Sequence, residues 1–197
     1  MSHFFAFLSR MKFIRRWGLM RNTVSENIQE HSLQVAMLAH GLAEIRNTCF
    51  GGQIDSGQAA LFGMYHEVSE VFTGDLPTPV KYFNPRIKTV YQEIEGMAQR
   101  KLHQMLPEQM KNGYSRILIR QPEDAELWRI VKAADKISAY LKCVEELKAG
   151  NQEFAVACRQ IKQELAENDL PEVAFFMEVF APGFSLTLDE LNNNPKG

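Results

Sequence analysis

Four residues of the 197-residue chain combine the types and the setting that hold a divalent cation: His31, the adjacent pair His66-Glu67, and Asp135. Imidazole and carboxylate side chains drawn from separate helices bind such an ion while leaving positions open for water and substrate. A fifth residue, Glu70, lies four positions beyond His66. On a regular helix these two share a face and Glu67 is turned about 100° away, so all three border one cleft. That placement suits Glu70 to general acid or base work. Each residue has an ordinary alternative: a histidine beside an apolar stripe can be a satisfied core group, and Asp135 can pair with Lys132 or Lys136. Only the constellation carries the signal. His40, nine positions after His31, falls on nearly the opposite face of its helix, and His3 and His103 sit among surface-type residues. None of these three is expected to be a ligand.

The elements that must position this set are helical. Phe4, Leu8 and Met11 predict a short helix to about Phe13, followed by Arg15, Arg16 and Trp17. A second helix runs from about Ile28 to Ile45 with Leu33, Ala36, Met37 and Leu38 turned inward, and Phe50-Gly51-Gly52 breaks it. Asp55 and Gln58 resemble a capping box opening a third helix, whose stripe is Leu61, Met64, Tyr65, Val68 and Phe72 and whose stop is Gly74. Pro77 and Pro79 then hold the polar run of Asp75, Thr78 and Lys81 stiff. Asn84-Pro85 opens the next helix, which ends near Pro107. The segment to Gln121 stays open between loop, short helix and strand. A long helix from Pro122 to Lys148 contains Asp135, and two more follow, the last opened by Pro171; the tail after Leu191 is polar and expected to be loose. With no period-two pattern, repeat or linker, the chain reads as one all-α domain over residues 1–197.

Composition narrows the function classes. A formal charge of -2 and a pI near 6.2 argue against a dedicated nucleic-acid binder, though not against a small anionic ligand. The basic residues Lys12, Arg15 and Arg16 follow the apolar N-terminal stretch, the reverse of a signal peptide, and there is no transmembrane run. Cys49, Cys143 and Cys158 are odd in number and lack CxxC spacing, which fits a reducing, cytoplasmic setting.

The separated His31, the His66-Glu67 pair and the distant Asp135 resemble the H…HD…D ligand set of the HD-domain metal phosphohydrolases, a helical superfamily. The similarity is closer to its bacterial 5'-deoxynucleotidases. It is carried by Arg16-Trp17, by Glu30-His31-Ser32-Leu33-Gln34-Val35-Ala36, by the run from Thr73-Gly74-Asp75-Leu76-Pro77-Thr78-Pro79-Val80-Lys81 to Phe83, and by Ala134-Asp135 with Ala139-Tyr140-Leu141-Lys142-Cys143. The resemblance implies an HD-type helical bundle, a cytoplasmic homodimer that removes the 5'-phosphate from deoxyribonucleoside monophosphates, and a divalent cation, cobalt or manganese, as cofactor. His31, His66 and Asp135 would hold the ion, with Glu67 as fourth ligand, and Glu70 would be the catalytic acid or base. Arg16 would orient the phosphate and Trp17 would pack on the deoxyribose. His31, Asp75, Thr78, Pro79, Val80 and Lys81 would complete the substrate pocket.

One departure stands out, because the family pattern has His-Asp where this chain has His66-Glu67. Glutamate keeps the charge but adds a methylene, so its reach to an ion depends on local geometry. Two rival readings follow: a nucleotide-binding protein that has lost the ion, and an HD phosphohydrolase acting on nucleoside triphosphates or cyclic nucleotides.

Overall fold

A computed structural model of the chain describes residues 1–77, 80 and 83–193. Thr78, Pro79 and Lys81 of the expected substrate pocket lie outside the described residues. Within them the architecture is helical, with one isolated bridge pairing Arg15 and Asn27 and no named strand. The helices are α1 (Phe4–Leu8), α2 (Ile28–Phe50), α3 (Ser56–Tyr65), α4 (Glu70–Thr73), α5 (Pro85–Gln104), α6 (Glu108–Leu118), α7 (Ala125–Lys148), α8 (Ala155–Ala166), α9 (Pro171–Val179) and α10 (Leu188–Asn193).

Local chemistry explains most boundaries. Asn27 starts α2 through a complete capping box: its side chain accepts from the backbone N–H groups of Gln29 and Glu30, and the Glu30 carboxylate accepts from Asn27 N–H. Gly51 ends α2 in the left-handed conformation at φ 67°. Asp55 caps α3, and Asn84 with Pro85 opens α5, as the residue types predict. The open segment before Gln121 is α6, and Pro122–Asp124 forms a 3-10 turn leading into α7. Thr187 and Glu190 form reciprocal capping hydrogen bonds that open α10, which ends at Asn193, and residues 194–197 of the expected loose tail lie outside the described residues.

α2 is the central element, flanked by α3, α7 and α9. Its phase differs from expectation. Ile28, His31, Val35, Ala36, Leu38, Ala39, Leu42 and Ile45 are buried, whereas Leu33 and Met37 face solvent. Spacings of three and four starting at Ile28 define the inward stripe, and Leu33 and Met37 fall on the other side of it. On α3 the buried residues are likewise Ala59, Phe62 and Gly63, with Met64 exposed.

Two apolar cores result. The larger contains Val35, Leu42, Phe62, Trp128, Ile137 and Phe176; the smaller contains Phe4, Met11, Ile28, Val68, Leu102 and Leu118. On α2, His31 falls between Ile28 of the smaller core and Val35 of the larger. His66 likewise falls between Phe62 of the larger core and Val68 of the smaller. The polar site thus occupies the seam between two cores, where neither loses apolar packing to it.

Gly63 sets how closely α2 and α3 approach. A Cβ there would stand 2.8 Å from Ala36 Cα and 3.0 Å from Ala36 N, atoms that move only with the backbone. Gly63→Ala is therefore expected to separate the helices and cost about 1–3 kcal/mol. Because Gly63 also holds His66, the same variant should bind cobalt more weakly. Thermal unfolding and a cobalt titration check the two effects separately.

Candidate metal and phosphate site

α3 does not run on through His66. Between Tyr65 and Phe72 four backbone hydrogen bonds reach back three residues: Val68 N–H to Tyr65, Glu70 N–H to Glu67, Val71 N–H to Val68 and Phe72 N–H to Ser69. This tightening interrupts the single helix expected to run from Asp55 to Gly74. Residues three apart come close to eclipsing in such turns, which brings Glu67 and Glu70 near in rotation about the axis. Glu70 is buried at the first position of α4.

The four ion-ligand candidates converge. One atom from each of His31, His66, Glu67 and Asp135 lies within 4.8 Å of all the others. His31 Nε2 is 3.1 Å from Asp135 Oδ1 and 3.7 Å from Glu67 Oε2, while His66 Nε2 is 3.8 Å from Glu67 Oε1 and 4.0 Å from Asp135 Oδ1. The extra methylene of Glu67 is accommodated, since its carboxylate reaches the same point as the other three groups. Lys136, one alternative partner for Asp135, pairs instead with Glu164 at 2.6 Å.

The donor set fits a cation. His66 Nδ1 lies 2.7 Å from the Gly63 carbonyl, which can only accept, so Nδ1 carries the proton and Nε2 presents its lone pair. Burial lowers the His66 pKa, outweighing the nearby Glu67 and Asp135, and keeps the ring neutral. His66 Nε2 and Glu67 Oε2 are buried without a hydrogen-bond partner, which an ion would supply, and His31 Nε2 faces the Asp135 carboxylate. Burial would push Asp135 up, but His31, His66 and Arg16 together hold its carboxyl well below the usual range, so it is a carboxylate.

Arg16 reaches into the same point from the segment before α2. Its Nη1 is 2.8 Å from Glu26 Oε2 and 2.8 Å from His31 Nδ1, whereas Nη2 and Nε stand 3.9 Å and 4.0 Å from Asp135 and Glu67, beyond hydrogen-bonding distance. Those two donors form the fork that matches a phosphate. Burial would lower the Arg16 pKa, yet Glu67, Glu26, Asp135 and Asp75 raise it. Four carboxylates around one guanidinium leave the cleft negative, so a phosphate enters only where a cation offsets them.

His31 has two possible tautomers here. With Arg16 against Nδ1, the ring proton sits on Nε2. With Arg16 turned to a phosphate, Nδ1–H donates to Ser138 Oγ, 3.1 Å away, whose own proton goes to Gln34 Oε1 at 2.6 Å. Nε2 then presents a lone pair. Glu26, Gln34, Ser138 and Gly63 were not singled out from sequence. Ser138 was findable as the residue one turn beyond Asp135 on the same face of α7, and Gln34 as one turn beyond His31 on α2.

Of the remaining predicted residues, Trp17 packs its ring 5.3 Å from Phe154, with Arg16 5.9 Å above it. Asp75 is half-buried and its charge acts on Arg16. Val80 is exposed. His40 is exposed, and His103 Nε2 contacts the Lys111 carbonyl and Ser115 Oγ, both at 2.9 Å, so neither joins the cluster.

Comparison with known proteins agrees with this geometry. The sequence pattern of the family described as 5'-deoxynucleotidase YfbR-like matches residues 3–184. A 5'-deoxynucleotidase of Vibrio vulnificus is 54% identical over 191 residues, covering 97% of this chain and 98% of that one. One from Photorhabdus laumondii is 53% identical over 192 residues, covering 98% of each. Among solved structures, an HD-domain phosphohydrolase from Listeria innocua superimposes with a TM-score of 0.77 at 21% identity, over 92% of this chain and 88% of that one. A cyanophage S-2L HD phosphohydrolase bound to dA and one catalytic Zn2+ gives 0.61 at 21% identity, over 90% and 95%. These two likenesses establish the all-α HD fold, and the sequence matches over nearly the whole chain establish more: it belongs to the YfbR-like 5'-deoxynucleotidase family.

Proposed function

We propose that the chain is a metal-dependent 5'-deoxynucleotidase that hydrolyses deoxyribonucleoside 5'-monophosphates to deoxyribonucleoside and phosphate. The observation that carries this reading is the convergence of four ion-ligand candidates beside a guanidinium with two donors to spare. When bound, a divalent cation there supplies Lewis acidity and a nucleophile at neutral pH. The residues do the rest. Arg16 turns its Nη2 and Nε donors onto the phosphate, pulling away from His31 and leaving Nδ1–H to Ser138. Glu70 holds the proton that the departing 5'-oxygen needs. Trp17 packs on the deoxyribose, where a 2'-hydroxyl would be buried without a partner. By the family resemblance, Asp75, Thr78, Pro79, Val80 and Lys81 are the remaining substrate contacts.

The expected cofactor is cobalt or manganese, bound by His31, His66, Glu67 and Asp135. The close fit of Glu67 favours this reading over a nucleotide binder that has lost its ion. Phosphate release from dAMP and AMP checks it, with protein stripped by chelator and supplied separately with manganese, cobalt, magnesium or zinc. We expect dAMP alone to be cleaved, only with metal; triphosphate release or ring opening of a cyclic nucleotide would favour the other HD chemistries, and saturable binding with no turnover the binding protein.

The same reading places the enzyme in the cytoplasm as a homodimer. No described helix is long and apolar enough to cross a membrane. Val179, Phe180 and Leu188, exposed at the C-terminal end, support a self-association surface there, and sedimentation of the intact chain tests it.

A further inference from the structure

The segment from Ile14 to Ile28 forms a closed loop. Its neck is tied by Arg16 N–H to the Glu26 carbonyl and Ile28 N–H to the Ile14 carbonyl, both at 3.0 Å. Arg16 leaves from the neck and Trp17 from just beyond it. Trp17 is the one described non-glycine residue at positive φ, 58°. Bulky residues avoid that region, so the surroundings must hold it there. Part of the hold is local: Met20 N–H donates to the Trp17 carbonyl at 2.8 Å, and Asn22 Nδ2 donates to the Trp17 and Met20 carbonyls at 3.3 Å and 2.9 Å.

The rest comes from α7. Glu146, 1% exposed, accepts from Thr23 N–H at 2.9 Å, Thr23 Oγ1 at 2.7 Å and Val24 N–H at 3.3 Å. Lys142, also buried, pairs with Glu146 and donates to the Val24 carbonyl at 2.5 Å. Asn151 Nδ2 bridges the Glu146 carboxylate and the Arg21 carbonyl, each at 2.7 Å. A buried ion pair that spends nearly every hydrogen-bonding site on one external loop is an expensive way to gain stability. It is an effective way to fix the loop's position.

Asp135, Ser138, Lys142 and Glu146 are spaced by three, four and four residues, so they form one stripe along one face of α7. One end of that stripe meets the ion-ligand cluster and the other grips the loop bearing Trp17. We propose that Glu146, with Lys142, is a positioning residue for sugar discrimination: it holds the Trp17 indole at a set distance from Asp135, and hence from the phosphate end of the nucleotide. The proposal rests on the nucleotidase reading, with Trp17 as the sugar platform.

The test compares Glu146→Gln with the intact enzyme. The variant should raise KM for dAMP about tenfold with kcat changed less than about twofold, and lower the preference for dAMP over AMP by about fivefold or more. Asp124→Asn removes a buried carboxylate at the other end of α7, paired with Arg116. It should lower stability and leave the dAMP to AMP ratio unchanged. A readout independent of turnover is 19F NMR of protein labelled with 5-fluorotryptophan, whose two resonances are assigned with Trp17→Phe. In Glu146→Gln the Trp17 resonance should move and the Trp128 resonance should not. If Glu146→Gln folds poorly, Asn151→Ala, which frees the Arg21 carbonyl, should show the same changes in smaller degree. A folded variant with an unmoved Trp17 resonance and an unchanged dAMP to AMP ratio overturns the proposal. Should the intact enzyme leave dAMP uncleaved, the nucleotidase reading falls, and the Trp17 resonance alone decides whether Glu146 positions the loop.

Discussion

Glu70→Gln is expected to lower kcat for dAMP by about 10²–10⁴-fold, the usual worth of a placed general acid or base. The substitution keeps size and hydrogen-bonding capacity, so the helix start at α4 should survive. Glu70 is buried at the start of α4, three residues beyond Glu67. It therefore adjoins the ligand cluster without being one of the four converging groups. The diagnostic result is a loss confined to turnover. Bound cobalt, measured by its visible absorption or by elemental analysis, should stay at the level of the intact protein. If metal content falls in step with kcat, Glu70 is a ligand and the proton role belongs elsewhere.

His66→Ala should be as damaging by a different route. Removing one of two imidazoles from a four-group cluster withdraws the ion and its electrostatic contribution, worth several kcal/mol, or about 10³-fold in kcat/KM. Here metal content and activity are expected to fall together. Folding should tolerate the change, because the lost ring sits in the seam between the cores and its Nδ1 partner, the Gly63 carbonyl, lies at the end of a helix where water can replace it. Calorimetric titration with cobalt measures the first effect and thermal unfolding of the metal-free protein the second. Retained stoichiometric binding in His66→Ala would mean that the ion is held by the other three residues.

The four ligand candidates were legible in the sequence because their types are costly to bury without a purpose, and the structure brings all four together. The helices were legible from caps and stops, as with Asn84-Pro85 and Gly51. Phase was harder. Leu33 and Met37 are apolar at helical spacing yet exposed, because the buried stripe runs through His31, Val35, Ala39 and Leu42, and a pattern that counts large apolar side chains passes over the histidine and the alanine in it. The change to three-residue turns after Tyr65 leaves no mark in composition, so the end of α3 at Tyr65 was not legible. Groups that act through another residue, Ser138 behind His31 and Glu146 behind Trp17, were overlooked for a simpler reason: position on a face could have suggested Ser138, but not its role. Serine and glutamate on a helix are unremarkable until their partners, over a hundred positions away, are known.

The contact at Gly63 bears on how such an enzyme could change its preferred ion. One imidazole comes from α2 and the other from the end of α3, so the span between them is set by how deeply one helix nests against the other. Ionic radius would then be matched by core volume. Drift at Ala36 or Ala59, residues with no polar atom in their side chains, could retune the bite of the site while every ligand stayed the same, and metal specificity in such relatives would have to be sought in packing.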